Sequence, residues 1–134
     1  MIEEFEKKHS LQVNRLGHTL NDDYDICKRG ELEKILVYTK GEDVIGFVQY
    51  TKLYEVVEIF YLVVDEKYRC LGIGSAFIDH LARDLDVQRE ILEVRVSNEG
   101  AISFYEKNGF KRLRPIKNYY KNGEDALSME KVIR

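Results

Sequence analysis

Apolar positions along the chain change period several times, and the changes mark out elements. "LEKILVYT" (Leu32–Thr39) reads as a strand, "KGED" as a tight turn, and "VIGFVQYT" (Val44–Thr51) as an antiparallel return. Gly46, inside that return strand, marks a bulge or a close backbone approach. "VVEIFYLVV" (Val56–Val64) is an almost continuous β-branched and aromatic run, the pattern of a central strand covered on both faces. Phe77, Leu81 and Leu85 then recur at i, i+4 and i+8, which predicts an amphipathic helix over "SAFIDHLARDLD". "ILEVRVS" (Ile91–Ser97) alternates, placing Leu92, Val94 and Val96 on one face and Glu93 and Arg95 on the other.

"NEGAISFYEKNGF" predicts a helix with Asn98 as N-cap and Gly109 as C-terminal stop. Phe110–Leu113 and Ala126–Lys131 form a last pair of strands joined across "KNYYKNGED". Residues 1–30 are polar, with Phe5, Leu16 and Leu20 spaced as on one side of one or two short helices, and no opening strand is evident. The predicted order is helix, three strands, helix, strand, helix, two strands: a mixed α/β or α+β sandwich around one sheet.

Composition narrows the class. A chain of 134 residues, 44% hydrophobic, fits one domain with its own core and needs no staples. A net charge of −3, with both signs interspersed, lacks the clustered cations of a nucleic-acid footprint. Cys27 and Cys70 form no motif, and His9, His18 and His80 are scattered, so neither a disulfide framework nor a metal site is expected. No apolar run approaches the ~18 residues of a membrane span, and "MIEEFEKKHS" is not a signal peptide. A cytoplasmic protein without membrane attachment is the expectation.

The stretch "YRCLGIGSAF" (Tyr68–Phe77) lies between a strand and a helix. A helix start leaves amide N–H groups without partners, and glycines there let a phosphate approach the backbone. The same spacing suits a strand-to-helix turn with no ligand. It fits neither a dinucleotide fingerprint, which needs glycine where Phe77 sits, nor a P-loop, because no Gly-Lys-Ser/Thr follows. Further on, Glu93, Asn98 and Tyr105 place a carboxylate on a strand, an amide at its end and a phenol on the next helix. Singly these read as a solvated side chain, a cap and core packing. With the glycine turn they assemble an anion cradle, a base, a tether and a proton donor, the parts of an acyl transfer.

These two stretches resemble the GNAT superfamily of acetyl-coenzyme A-dependent N-acetyltransferases. Arg69, Gly72 and Gly74 of "VVDEKYRCLGIGSAF" match its pyrophosphate motif, and "LEVRVSNEGAISFYEKNGF" with "KNYYKNGEDALSM" is similar to the branch that acetylates ribosomal-protein alanine N-termini. The resemblance covers residues 44–130, the acetyl-CoA-binding and catalytic core, and leaves 1–30 as a helical acceptor-side arm of one 1–134 domain. It implies an α/β (α+β) fold with a mixed central sheet of about six strands and helices on both faces.

It also implies that backbone N–H groups of Cys70, Leu71, Gly72, Ile73, Gly74 and Ser75 hold the pyrophosphate, with Arg69, the first motif residue, also at the cofactor. The pantetheine arm would run beside Leu62, Val63 and Val64, with Asn98 as tether. Glu93 would be the general base and Tyr105 the acid, with Glu58 the alternative base, because other branches place theirs on that strand. Cys70 is incidental in this reading. Asn118, Tyr119 and Tyr120 either close over a peptide or pack in a hairpin. The implied reaction transfers acetyl from acetyl-CoA to an amine, foremost the N-terminal α-amine of a ribosomal protein. A polyamine, amino acid or aminoglycoside acceptor is one rival, and a non-catalytic acyl-CoA-binding regulatory module the other.

Overall fold

In a computed structural model describing residues 1–134, seven strands form one mixed sheet: β1 Ile2–Glu4, β2 Lys34–Lys40, β3 Asp43–Leu53, β4 Val56–Val64, β5 Arg89–Arg95, β6 Lys111–Ile116 and β7 Ala126–Val132. Their order across the sheet is β1-β2-β3-β4-β5-β7-β6. Three α-helices complete the fold: α1 Ser10–His18, α2 Ile73–Ala82 and α3 Glu99–Lys107. No helix is long and apolar enough to cross a membrane. The chain divides into two compact units, Met1–Thr51 with Phe60–His80, and Lys52–Ile59 with Leu81–Arg134.

In the first unit the expectation of a front end without a strand is corrected. Ile2, Glu3 and Glu4 pair antiparallel with Tyr38, Val37 and Leu36, and this edge strand is the seventh. The Met1 ammonium donates to the Thr39 carbonyl at 2.9 Å, and Phe5 N–H donates to the Ile35 carbonyl at 3.1 Å. Three residues, two of them glutamates, carry no readable period of two; main-chain pairing makes the strand. Val13 and Leu16 of α1 are buried with Tyr24, Ile26, Val37 and Phe47, whereas Leu20 lies past the helix end and is exposed.

The β2–β3 hairpin contains both features expected at Gly46. The register passes from Tyr38↔Gly46 to Thr39↔Val44, so Ile45 is an extra residue. A Cβ on Gly46 would sit 3.0 Å from the Val63 carbonyl oxygen and 3.5 Å from Ile73 and Phe77 side-chain carbons. β4 departs from the expectation of two covered faces. Val57, Ile59 and Val63 are buried, but Phe60 is 39% exposed and Leu62 and Val64 are only half-buried. Apolar residues thus occupy both faces of β4, and the face of Val57, Ile59 and Val63 is the more deeply covered. In α2, Ile73, Phe77, Ile78 and Leu81 are buried; Leu85 falls beyond the helix and is exposed.

In the second unit β5 pairs in parallel with β4 from Val56↔Arg89 to Ile59↔Leu92, and antiparallel with β7 from Arg89↔Val132 to Arg95↔Ala126. Leu92 and Val94 are buried as predicted; Val96 lies past the strand end and is exposed. Asn98 caps α3, its Oδ1 accepting from Ala101 N–H at 3.1 Å, and Gly109 ends the turn at φ +94°. Both match the sequence reading.

Replacing Gly46 by valine should lower stability by about 1–3 kcal/mol through overpacking against a carbonyl that cannot move away. Gly100→Ala, whose Cβ would meet only Asn98 Oδ1 at 4.0 Å, should be neutral or slightly stabilising. Urea unfolding checks both signs.

Candidate functional site

In the first unit, the end of β4 is pinned before the glycine turn begins. Asp65 N–H donates to the Ile45 carbonyl at 2.8 Å, and Asp65 Oδ1 accepts from Lys67 N–H at 2.9 Å, closing a single 3-10 turn over Glu66–Tyr68. Arg69 folds back, its Nε donating to the Val64 carbonyl at 3.3 Å. The chain then turns through left-handed conformations at Cys70, φ +65°, and Gly72, φ +83°. Gly72 tolerates that region freely, but a cysteine there carries backbone strain of the sort that gathers at ligand clamps.

The first helical bond of α2 runs from Ala76 N–H to the Gly72 carbonyl at 2.9 Å. The N–H groups of Ile73, Gly74 and Ser75 therefore precede the helix's own bonding and sit at its positive end. No atom lies within 4 Å of where a Gly72 Cβ would stand, so the approach to these amides is open. Left-handed residues next to a helix start form a concave nest of N–H groups, which fits a pyrophosphate. Leu62, Val63, Val64 and the whole Arg69–Ser75 run are thus consecutive parts of one strand–turn–helix transition.

In the second unit, Glu93 lies half-buried on β5 opposite Ser128 of β7. Glu58 pairs with Ile91, two residues before Glu93, so both carboxylates lie on the same face of the sheet. Burial holds the Glu93 carboxyl above the usual range, Glu58 adds to the shift, and Arg114 opposes it. Tyr105 of α3 packs between Phe104 and Phe110, with ring centroids 5.3 and 5.4 Å away. Burial, with a further contribution from Tyr120, pushes its phenol well above the ordinary value, so it keeps its proton at neutral pH.

Tyr120 is the residue that relates these two. The Arg95 guanidinium sits 4.0 Å over its ring, and burial first, then Tyr119, pushes its phenol up to about 12, with Glu93 also raising it. Arg95 donates to Glu124 at 3.0 Å, Glu124 accepts from Ser97 N–H at 3.0 Å, and Tyr120 N–H donates to the Glu124 carbonyl at 3.1 Å. The β6–β7 loop is therefore tied to the end of β5. Of the two readings of this loop, packing describes Tyr120, whereas Tyr119 is 50% exposed. Asn98 is exposed and commits Oδ1 to capping, which leaves its NH2 group for another acceptor.

Sequence reasoning passed over Arg95 and Arg114. The alternation of β5 placed Arg95 on the face of Glu93, which was a usable signal. Arg114 had none, because its position depends on strand register.

The first unit thus carries a β-strand running into a nest of helix-start amides, and the second a strand and a helix with a carboxylate and a phenol, within an α+β fold. The chain belongs to the acetyltransferase (GNAT) family, which it matches over residues 1–110. That match includes the front segment, where β1 restores the opening strand. The chain is 31% identical over 139 residues to an N-alpha-acetyltransferase of Sulfurisphaera tokodaii, covering 89% of this chain and 83% of that one. It superposes on Ard1 from Thermoplasma volcanium with a TM-score of 0.86 and 30% identity, covering 100% and 97% of the two chains. The ribosomal-protein-S18-alanine N-acetyltransferase of Escherichia coli gives a TM-score of 0.82 at 26% identity, covering 99% and 93%. The protein is thus an acetyl-CoA-dependent N-acetyltransferase.

The Glu93 electrostatics can be read directly by carboxyl NMR titration. Its midpoint should lie above the ordinary Glu value of about 4.3. Glu58→Gln removes a like charge and should lower it; Arg114→Ala removes a cation and should raise it. A midpoint indifferent to both changes contradicts the arrangement.

Proposed function

We propose that the protein transfers acetyl from acetyl-CoA to the N-terminal α-amine of a protein, with the alanine terminus of a ribosomal protein as the first acceptor to try. In this reading residues 44–130 carry the donor-binding and acid–base groups, and the first thirty residues face the acceptor. The N–H groups from Cys70 to Ser75 hold the pyrophosphate beside Arg69, the main chain of Leu62–Val64 lies along the pantetheine arm, and the Asn98 NH2 group tethers it. The half-buried apolar face of β4, with Phe60, Leu62 and Val64, suits such an arm.

The amine nitrogen bonds to the thioester carbonyl carbon, the carbon–sulfur bond breaks, and the nitrogen loses a proton. Glu93 takes that proton, directly or through one water. A carboxylate held above its ordinary range lies closer to an α-amine of pKa about 7.7–8.0, which makes the transfer less uphill. Tyr105 is the acid toward the leaving sulfur. A phenol held this high gives up its proton reluctantly to a thiolate of pKa ~8.5, so its part begins as a hydrogen bond to the developing charge. Glu58, on the same face, is the alternative base.

The observation that carries the proposal is the shared electrostatic neighbourhood of Glu93, Tyr120 and Tyr105 in one unit. The name of the Sulfurisphaera relative supports an α-amine acceptor.

Mass spectrometry after incubation with acetyl-CoA and an alanine-starting peptide should show one N-terminal acetyl group. Glu93→Gln and Tyr105→Phe should each lose roughly 10²–10⁴-fold in kcat while still binding coenzyme A. Turnover of spermidine or an aminoglycoside, with peptides inert, would favour the small-molecule rival. Coenzyme A binding with no turnover of any amine would favour the non-catalytic one.

A further inference from the structure

We infer that Arg114 selects acceptors that carry an acidic side chain close behind their N-terminal amine. The inference rests on the protein N-terminus reading above and specifies which termini that site takes.

β6 pairs with β7 as Lys111↔Glu130 and Arg112↔Met129, then resumes as Arg114↔Ser128 and Pro115↔Leu127. Leu113 is the extra residue of a bulge. In a regular strand Leu113 would oppose Ser128, and Arg114 would oppose Leu127, which is buried. The bulge instead turns Arg114 onto the other face, into a row with Ser128 and Glu93. Re-aiming one side chain is what a bulge does, and bulges are frequent beside active sites. Two strand spacings of about 4.8 Å put the Glu93 and Arg114 backbones about 10 Å apart on one face.

Three arginines near Arg114 are otherwise engaged. On the same face Arg89 pairs with Glu130 at 2.8 Å, and Arg95 with Glu124 at 3.0 Å. On the other face Arg112 pairs with Glu106 at 3.2 Å. Arg114 is exposed and makes no ion pair, although its charge is felt at Glu93. A guanidinium without a carboxylate, aimed along the face of a general base, presents a fork suited to bidentate carboxylate binding. An amine over Glu93 and a carboxylate at Arg114 then match a peptide terminus of opposite polarity. An extended peptide advances about 3.3 Å per residue, so an Asp or Glu at the second or third position can span the gap.

The test compares three peptides that differ only at position two: Ala-Glu, Ala-Gln and Ala-Lys. The native enzyme should prefer Glu over Gln by roughly tenfold in kcat/KM, expressed mainly in KM. Arg114→Ala should abolish the preference, and Arg114→Glu should reverse it toward the Lys peptide. Each preference is a ratio measured on one enzyme, so any effect of the lost charge on Glu93 cancels. Repeating the series with the acidic residue at position three locates the contact. Acetylation of all peptides without charge preference at either position, or a preference that survives Arg114→Ala, overturns this inference alone. Acetylation of none overturns the protein-acceptor reading and this inference with it.

Discussion

The approach of the Gly46 backbone to the Val63 carbonyl is the constraint from which the donor end of the molecule follows. One missing Cβ lets β3 lie against the end of β4 and against Ile73 and Phe77 of α2. The bulge at Ile45 brings its carbonyl to Asp65 N–H, which stops β4 where it must turn. Helix α2 then starts with Ile73 and Phe77 already buried, so its first amides are fixed in direction before any ligand arrives. Pre-organised donors of this kind need no rearrangement when charge binds. The strain at Cys70 is tolerated because both flanks of the turn are held.

The second unit solves a different problem, that of holding a carboxylate half out of water without losing its neighbours. β5 pairs with β4 only as far as Leu92, so Glu93 sits where that ladder ends and is held by its pairing with Ser128 of β7 rather than by a loop. Arg95, one alternation further, recruits Tyr120 and Glu124 and so ties the β6–β7 loop to the strand that carries Glu93. Burial and Tyr119 raise the Tyr120 phenol while Arg95 opposes them, and Tyr120 adds in turn to the shift that burial causes at Tyr105. Glu93 and Tyr105 are each linked electrostatically to Tyr120 of this loop.

Much of this was legible in the sequence where the signal was local. The Asn98 cap, the Gly109 stop, the close approach at Gly46 and the turn at Gly72 each depend on a few neighbouring residues and a backbone preference. The errors fall where structure depends on partners distant in sequence. β1 exists because β2 offers it a backbone edge, which no pattern in Ile2–Glu4 announces. Leu20, Leu85 and Val96 continue an apolar period past the point where their elements end, and all three are exposed. β4 reads as doubly buried from its composition, yet Phe60 shows that an apolar face can remain partly open. The row joining Glu93 to Arg114 depends on a bulge, and a one-residue slip moves a side chain to the opposite face without changing a letter of sequence.

The donor end is the part on which acetyl transfer depends, and one measurement addresses it. Titration of the 15N-labelled protein with coenzyme A should shift the amides of Ile73, Gly74 and Ser75 most strongly. Cys70 and Gly72 should follow, because in the proposed function those groups receive the pyrophosphate. Saturable shifts that leave these amides unmoved would contradict it, for example shifts gathered in the cleft of Phe5, Ile26, Cys27 and Arg29.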